Sequence, residues 1–506
     1  MITEICYSKR MTKQQRLVLV LSILASFVAF LDGAIVNVAL PAISSDLGGG
    51  LSSQQWIIDA YLLTLGSLIL IAGSLSDLLG RRKILTLGLL GFGAASLLCA
   101  VAPSAELLII GRALQGVAGA LLVPSSLALI ISTFSGAAQA KAVGSWTAWT
   151  GISFIIGPLL GGILIAAGSW RWIFAINVVP IALTLFLMTK LDAVKEVRST
   201  TPVDITGAVL CAIGLGGPVF ALIEQPRYGW DSPVIYIPLI GGIILFFAFL
   251  IYESRTKYPM LKLDLFKNRN FSVGNIATLA IYAGLTASTF ILIVFLQQVG
   301  GYSALAAGLA LLPITIIMFF LSSRFGALSG KYGPRLFMSL GPIIGGLGIL
   351  LMLRVGADVQ YWTELFPAIM IFGLGLSITV APLTAAILGD VPKTEAGIAS
   401  AVNNAVARVA GLVAVAAVGA VIAAQFASSL DNSQIANNLQ FSTTEAKKAP
   451  LQIVPPKPYQ NNQNFQKVLT EASVTAFHTG ILAVAILIIS GGIISAIGIK
   501  NPPRKP

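Results

Sequence analysis

The first 120 residues of this 506-residue chain carry three charged side chains inside long apolar stretches. Asp32 lies in LDGAIVNVALPAI with no basic residue within several turns, Asp59 follows Trp56 closely, and Arg112 lies in GRALQGVAGALLVP. A charge at membrane depth costs about 2.5 kcal/mol or more, so such a group faces water or a partner. A carboxyl group removed from water can take up and release a proton near neutral pH. These residues predict a site that exchanges protons or recognises a cation.

A structural role is open for each of these three residues. Asp32 could cap a helix or form an ion pair. Asp59 could be a hydrated acid at the membrane edge, or a second carboxylate facing an external vestibule. A buried guanidinium requires an anion or several carbonyl groups. Arg112 is therefore either the electrostatic partner that sets the proton affinity of Asp32 or a tether to loop carbonyls.

The composition indicates that these residues lie in membrane helices. The chain is 56% hydrophobic and 10% charged, whereas a soluble chain carries about 25% charged residues. With about 20 apolar residues per crossing, we expect about fourteen spans. They are Leu17–Ile43, Trp56–Leu75, Ile84–Ala102, Glu106–Ile131, Val143–Ala167, Trp172–Thr189, Ile205–Glu224, Val234–Tyr252, Phe271–Gln297, Ala304–Phe325, Leu336–Arg354, Trp362–Leu388, Ala396–Phe426 and Val474–Ile499. The first run is longer than the apolar region of a signal peptide, so we expect it to be retained.

The charges and cysteines exclude several other classes of protein. The net charge of +12 arises from Lys and Arg in alternate loops, as the positive-inside rule predicts, so both termini are expected in the cytoplasm and no nucleic-acid partner is expected. Cys6, Cys99 and Cys211 are too scattered for a disulfide or metal framework. With a single histidine, His478, we predict no metal site and no cofactor.

A loop of unusual composition joins the second and third predicted spans. Residues 73–83 read GSLSDLLGRRK, and a degraded copy, GALSGKYGPR, occupies 326–335 with Gly330 in place of the acid. The first loop resembles the loop between the second and third spans of the major facilitator superfamily, G-x-x-x-D-x-x-G-R-R/K. The resemblance implies a cytoplasmic gate built from Gly73, Asp77, Gly80, Arg81 and Arg82, with Asp77 and Arg81 bridging helix ends.

The position of the second copy implies the arrangement of the spans. It follows span ten rather than span eight, which is explained if spans seven and eight are inserted between two halves. The resemblance thus implies an all-α membrane protein with the major facilitator fold: two six-helix bundles plus an inserted helix pair, 14 transmembrane helices in all. We expect bundles at 1–190 and 263–506, the inserted pair at 191–262, and a long external loop at 427–473 that could also serve as a lid.

Two further runs resemble the fourteen-span drug:proton antiporters of this superfamily. The run around Asp32 resembles their first-span motif, in which an acid precedes V-N-x-A-L-P. The run GISFIIGPLLGG resembles the fifth-span motif of exporters, which implies the export direction; it contains Gly151, Gly157, Pro158, Gly161 and Gly162. On composition alone, the same glycines are ordinary helix-packing residues.

A set of polar and aromatic residues within the spans could line a substrate cavity. These are Asn37, Trp146, Trp149, Asn403, Asn404 and Arg408. The two tryptophans could instead serve in packing or in the interfacial belt. Some multidrug members carry acids where Asn403, Asn404 and Arg408 stand, which argues against a purely cationic specificity. Arg408 could bind an anionic substrate group or pair with a carboxylate.

We therefore expect a proton-coupled antiporter that exports a lipophilic, possibly cationic, compound across the cell membrane, monomeric and with protons and the bilayer as its other partners. An exporter of an endogenous metabolite, lipid or siderophore is the alternative on the same scaffold. The chain has no phosphate-binding G-x-x-x-x-G-K-[ST] loop, so a gradient must supply the energy. An enzyme would need a nucleophile–base pair or metal cluster at membrane depth, and a channel a ring of like charges; the sequence offers neither.

Overall fold

Long apolar runs become helices because only a helix satisfies its own backbone hydrogen bonds in lipid. The computed structural model describes residues 11–192, 202–389, 391, 395–435, 443–447, 449–456, 459–460 and 462–501. Its α-helices are α1 Lys13–Leu47, α2 Gly50–Leu79, α3 Arg81–Ala100, α4 Ala105–Thr133, α5 Gly136–Ala166, α6 Trp172–Ala175, α7 Val178–Met188, α8 Ile205–Tyr228, α9 Pro233–Arg255, α10 Arg269–Gln298, α11 Ala304–Ala310, α12 Leu312–Tyr332, α13 Pro334–Leu351, α14 Phe366–Gly389, α15 Ala396–Asp431, α16 Thr444–Lys447 and α17 Gln463–Gly498.

Within the described residues, thirteen helical segments are long and apolar enough to cross a membrane. The protein is therefore an all-helical, multi-pass membrane protein. The sixth of the fourteen predicted spans is not among these thirteen. It corresponds to the shorter apolar segment Trp172–Met188, in which α6 and α7 are separated by an interruption at Ile176 and Asn177. Pro180 accounts for this interruption, because a proline has no N–H to donate to the carbonyl four residues earlier, here that of Ile176; a hydropathy criterion alone does not detect it.

Polar helix ends account for the other differences from the predicted bounds. The last helix begins at Gln463 rather than Val474, with the Asn462 side chain accepting a 3.1 Å hydrogen bond from the Phe465 amide. Helix α15 likewise continues past Phe426 to Asp431. A hydropathy criterion does not detect such polar turns, so the connection predicted as 427–473 is shorter than expected.

The helices pack as two groups with a pair between them. Helix α1 contacts α2, α4, α5 and α7, while α10 contacts α14, α15 and α17, and α13 contacts α14 and α17. Helices α8 and α9 pack on each other, and α8 also contacts both α2 and α15. At the α2–α8 contact, Glu224 accepts hydrogen bonds from Trp56 Nε1 at 2.8 Å and Ser52 Oγ at 3.3 Å.

The predicted gate loop lies at one end of the molecule, called the motif end below. Gly80 joins α2 to α3 with a φ of +101°, a conformation that favours glycine. Arg81 forms a 3.0 Å ion pair with Asp77. Arg82 donates hydrogen bonds to the carbonyl oxygens of Asp192, at 2.6 Å, and Met188, at 3.3 Å. The loop thus binds the end of α7 in the same helix group.

The degraded copy of the loop has the same local structure. Gly333 joins α12 to α13 with a φ of +89°, and Arg335 Nε donates a 2.8 Å hydrogen bond to the Ala496 carbonyl near the end of α17. In both loops an arginine after the turn therefore binds carbonyl groups at the end of the last helix of its group. The acid that Gly330 replaces is not needed for this contact.

The two groups meet along a seam in the half of the molecule away from the motif end. Gln55 Nε2 on α2 donates a 2.8 Å hydrogen bond to the Val415 carbonyl on α15, and Gln297 Nε2 on α10 donates a 3.0 Å bond to the Val38 carbonyl on α1. On the other side, Gly162 on α5 packs on Leu305 in α11. These contacts close the seam at this end.

Toward the motif end, parts of the facing surfaces of α15 and α5 are exposed. On α15, the face that is buried at Val415 becomes half-buried at Arg408 and exposed at Asn404. On α5, the face of Pro158 continues with exposed Gly151 and Thr147, because residues 7 and 11 apart share a helix face. Phe30 on α1, together with Thr147, Gly151, Asn404 and Arg408, marks this opening, which is called the cleft below.

Candidate transport site

Asp32 lies on the buried side of α1, and its side chain faces the other N-terminal helices. The side chain is fully buried, as is that of Arg112 on α4. Arg112 Nη1 donates a hydrogen bond to Asp32 Oδ2, which makes this an ion pair within the membrane-spanning part of the protein. The two residues singled out by their charge are therefore in direct contact.

Neutral polar groups complete the shell around the pair. Gln115, one turn after Arg112, accepts from Arg112 Nη1 at 2.8 Å and donates to Asp32 Oδ1 at 3.2 Å. Asn177, at the interruption between α6 and α7, donates to the same Oδ1 at 2.9 Å. Ser96 Oγ on α3 accepts from both Gln115 and Asn177, at 2.8 and 3.3 Å.

The guanidinium group of Arg112 is held from two further directions. Its Nε donates a 2.9 Å hydrogen bond to the Ile57 carbonyl on α2. The ring of Tyr61 lies 4.3 Å from its Cζ atom, within the range of a cation–π contact. The shell thus joins α1, α2, α3, α4 and the α6–α7 interruption through one carboxylate and one guanidinium.

Sequence reasoning did not find Gln115, Ser96, Asn177 or Tyr61. Of these, Gln115 had a usable signal, since a residue three positions after Arg112 lies on the same helix face. Asn177 is far from Asp32 in sequence, and a lone amide in an apolar run predicts no particular contact. The shell matters chemically because a proton on Asp32 removes the negative charge that holds Arg112.

Asp59 lies apart from this shell, on the face of α2 that meets the other helix group. It stands between Gln55, which bonds to α15, and Gly66, whose added Cβ would lie 3.5 Å from Arg408 Cβ. Helix α8 packs beside the same region of α2. The Asp59 side chain is fully buried, and neither carboxyl oxygen has a hydrogen-bond partner among the residues that the structure describes. The expected position in an open vestibule is not observed here.

The fifth-span glycines serve two different contacts. An added Cβ at Gly157 would lie 2.7 Å from Ala34 Cβ, and one at Gly161 would lie 3.2 Å from the Ile35 carbonyl, both on α1. One at Gly162 would lie 2.9 Å from the backbone nitrogen of Leu305 across the seam. At Gly151 it would meet nothing within 4 Å. Pro158 also borders the seam, since an added Cβ at Gly308 would lie 2.7 Å from its carbonyl.

The predicted cavity residues on α1 and α5 occupy different surroundings. Asn37 is half-buried on the Phe30 face of α1, and its amide donates a 3.0 Å bond to the Gly33 carbonyl. Trp146 donates a 3.1 Å bond to Ser26 on α1. Trp149 is 53% exposed on the side of α5 opposite Pro158, so it faces away from the cleft.

The three predicted residues on α15 also separate into two roles. Asn403 Nδ2 donates to Thr278 Oγ1 at 2.8 Å and to Asn275 Oδ1 at 3.2 Å, which fastens α15 to α10. Asn404 and Arg408 border the cleft, and the Arg408 Cζ atom lies 5.2 Å from the centre of the Phe30 ring on α1. Asn404 therefore lies at the opening and Arg408 one turn deeper.

This architecture is shared with known transport proteins. The structure is similar to that of a bacterial homologue of the human lysosomal transporter Spinster, with a TM-score of 0.67 at 13% identity over 97% of this chain and 100% of that one. The sequence is 33% identical to the methylenomycin A resistance protein of Bacillus subtilis (strain 168) over 408 residues, 80% of this chain and 87% of that protein. It is 34% identical to the multidrug transporter protein MdtP of the same strain over 408 residues, 80% of this chain and 74% of that protein. The profile of the Major Facilitator Superfamily matches residues 22–415. The chain belongs to this superfamily of membrane transporters and is not an enzyme.

Proposed function

We propose that this protein is a proton-coupled antiporter that exports small lipophilic compounds, drugs among them, across the cell membrane by alternating access. The observation that carries the proposal is the fully buried Asp32–Arg112 pair, because an ionisable residue inside a membrane helix is a functional site by default. Relatives named for drug resistance and multidrug transport support export of toxic compounds.

Asp32 is proposed as the coupling acid. When ionised, it accepts hydrogen bonds from Arg112, Gln115 and Asn177. A proton neutralises the carboxylate, weakens its hold on Arg112, and so changes the contact between α1 and α4. A ligand or proton that interacts differently with two conformations shifts the equilibrium between them. The proton gradient supplies the energy, and no cofactor is needed.

Asp59 is proposed as a second proton-binding group, located in the seam. An ionised carboxylate that is buried without hydrogen bonds is very costly, so such a group is kept neutral. Since both Asp59 oxygens are buried and unpartnered while the seam is closed, we propose that Asp59 carries a proton in this conformation. Separation of α2 from α15 would admit water and allow the proton to leave.

The proposed topology has fourteen crossings, with α6 and α7 together forming the sixth. Residues 1–190 and 263–506 form the two bundles, and 191–262 carries the inserted pair. The motif end is placed in the cytoplasm because Arg81, Arg82 and Lys83 lie there and cytoplasmic loops are rich in basic residues. Both termini are then cytoplasmic, the cleft opens inward, and a monomer in the inner membrane suffices for transport.

The motif loop is proposed as the gate at the cytoplasmic end. The Asp77–Arg81 pair is partly exposed, with side-chain exposures of 48% and 30%, which leaves it accessible to an approaching helix end. Arg82 meanwhile fixes the loop to α7. When the cleft closes, the exposed side of Asp77 can accept a contact from the other helix group, so the loop latches the inward end.

Purified protein in liposomes with an imposed pH gradient tests the coupling. A lumenal pH dye is followed while ethidium and a panel of lipophilic compounds are added to wild type and to Asp32→Asn. We expect a compound-dependent release of protons that is lost in Asp32→Asn. Asp46→Asn is the matched control. Asp46 is a surface acid at the C-terminal end of α1 that accepts hydrogen bonds from Arg171 and Trp170, so this variant is expected to retain the response.

Each outcome has a defined meaning. Proton release that persists in Asp32→Asn would move the coupling to Asp59 or elsewhere. No response from folded wild type to any compound would contradict drug export and favour an endogenous substrate.

A further inference from the structure

Arg408 is a half-buried arginine at the deep end of the cleft, away from its opening. It lies one turn beyond exposed Asn404, and its Cβ lies against Gly66 on α2. Its Cζ atom lies 5.2 Å from the centre of the Phe30 ring. The guanidinium group of α15 therefore lies beside an aromatic ring of α1.

Within the described residues, the structure records no ion pair or hydrogen bond for Arg408 besides this ring contact. The two acids nearest in the fold do not supply one. Asp32 faces the opposite side of α1 from Phe30, since residues two apart point in nearly opposite directions on a helix, and Arg112 already neutralises it. Asp59 lies two turns from Gly66 along α2 and is enclosed in the seam.

Among the described residues, the cleft therefore presents the positive charge of Arg408 without a counterion. An arginine has five N–H donors and cannot be deprotonated in a protein. At membrane depth such a group is costly unless it is paired, and carboxylate-type oxygens are its strongest partners. A cationic ligand placed here would be repelled by Arg408 and would find no ionised acid exposed in the cleft to balance it.

We propose that the preferred substrate is an amphiphilic organic anion, whose acidic group is bound by Arg408 and whose apolar body packs on Phe30. This inference rests on the proposed transport function, because it assigns the substrate class of the same transporter. Of the substrates expected from the sequence, a lipophilic and possibly cationic compound, it selects those with a negative charge. Bound in the cleft, the acidic group supplies the counterion that Arg408 otherwise lacks.

A matched pair of dyes tests the sign of the charge directly. Fluorescein and rhodamine 123 share a xanthene–phenyl skeleton, but fluorescein is an anion and rhodamine 123 a cation near neutral pH. Binding to purified protein in lipid nanodiscs is measured by fluorescence anisotropy, with empty nanodiscs subtracted. We expect wild type to bind fluorescein more tightly than rhodamine 123.

The arginine variants identify the group responsible. Arg408→Gln is expected to weaken fluorescein binding at least tenfold and to leave rhodamine 123 binding unchanged or stronger. Arg408→Lys keeps the charge but loses the planar fork, so its loss is expected to be intermediate. Arg354→Gln is the matched control, because Arg354 is exposed in the short 3-10 helix Met352–Arg354 that follows α13, and it should bind both dyes as wild type does.

Two results would overturn the inference: tighter binding of rhodamine 123 by wild type, or fluorescein binding that is the same in Arg408→Gln and wild type. The flux assay keeps the two proposals apart. Asp32-dependent proton release with cationic but not anionic compounds would support transport and reject the anion preference. Arg408-dependent fluorescein binding without proton release for any compound would support the anion site and reject proton coupling.

Discussion

Asp32 and Arg112 depend on each other because both are fully buried. Removing one partner of a buried pair leaves an uncompensated charge and typically costs about 3–5 kcal/mol. We therefore expect Asp32→Asn and Arg112→Gln each to lower the thermal stability strongly, and the double variant to lose less than the sum of the two. Unfolding followed by tryptophan fluorescence in detergent measures this double-mutant cycle. Additive losses would show that the pair contributes no interaction energy.

Asp59 is expected to respond in the opposite way. Its carboxyl oxygens have no partner in the closed seam, so the free energy of unfolding should not fall when they are replaced by a neutral group. Asp59→Asn and Asp59→Leu are expected to match or exceed wild type in thermal stability, in contrast to Asp32→Asn. A large loss in both variants would indicate that Asp59 is ionised and bonded in the folded state. Proton release in liposomes then reports separately on its part in coupling.

At the scale of elements, three glycines of α5 are expected to differ in whether their substitution affects stability or transport. Gly157→Ala places its Cβ against Ala34 and Ile35 within the same helix group, so it should lower stability whichever way the transporter faces. Gly162→Ala places its Cβ against the Leu305 backbone across the seam. That clash exists only while the seam is closed, so the variant should fold but disfavour this conformation.

The expected order is therefore specific for each position. Gly162→Ala should retain most of the wild-type thermal stability and lose transport rate, while Gly157→Ala should lose stability first. Gly151→Ala is the control, because its Cβ would meet nothing within 4 Å, and it should behave as wild type in both assays. Equal transport by Gly151→Ala and Gly162→Ala would argue against a seam that must close with each cycle.

At the scale of the whole molecule, the sequence predicts those features that the membrane enforces. Asp32 and Arg112 could be matched because each is a charge in an apolar run and needs a partner. Gln115 had one signal, its position one turn after Arg112 on the same helix face, whereas a lone amide such as Asn177 in an apolar run predicts no particular contact. The interruption between α6 and α7 is marked by Pro180, which has no N–H to bond the Ile176 carbonyl, but an apolar run that continues through it predicts one unbroken span.

The surroundings of Asp59 and Arg408 were beyond the sequence for a different reason. Both lie where α15 meets α2, and such contacts depend on how the two helix groups dock rather than on any local pattern. The sequence allowed two interpretations of Arg408: it pairs with a carboxylate of the protein, or it binds an anionic ligand. Only the structure shows that Asp32 is paired with Arg112 and that Asp59 is buried in the seam.

The asymmetry between an open motif end and a closed seam predicts which positions a water-soluble reagent can reach. Thr147 and Asn404 are exposed at the cleft, whereas Ala416 is buried in the seam. In a background without Cys6, Cys99 and Cys211, single cysteines at Thr147 and Asn404 should react with a membrane-impermeant maleimide in inside-out vesicles and not in right-side-out vesicles. A cysteine at Ala416 should remain unlabelled from the inside, and a substrate in excess should slow labelling at Asn404. Labelling of Asn404→Cys from the outside alone would reverse the proposed orientation, and labelling of Ala416→Cys from the inside would show that the seam is not closed.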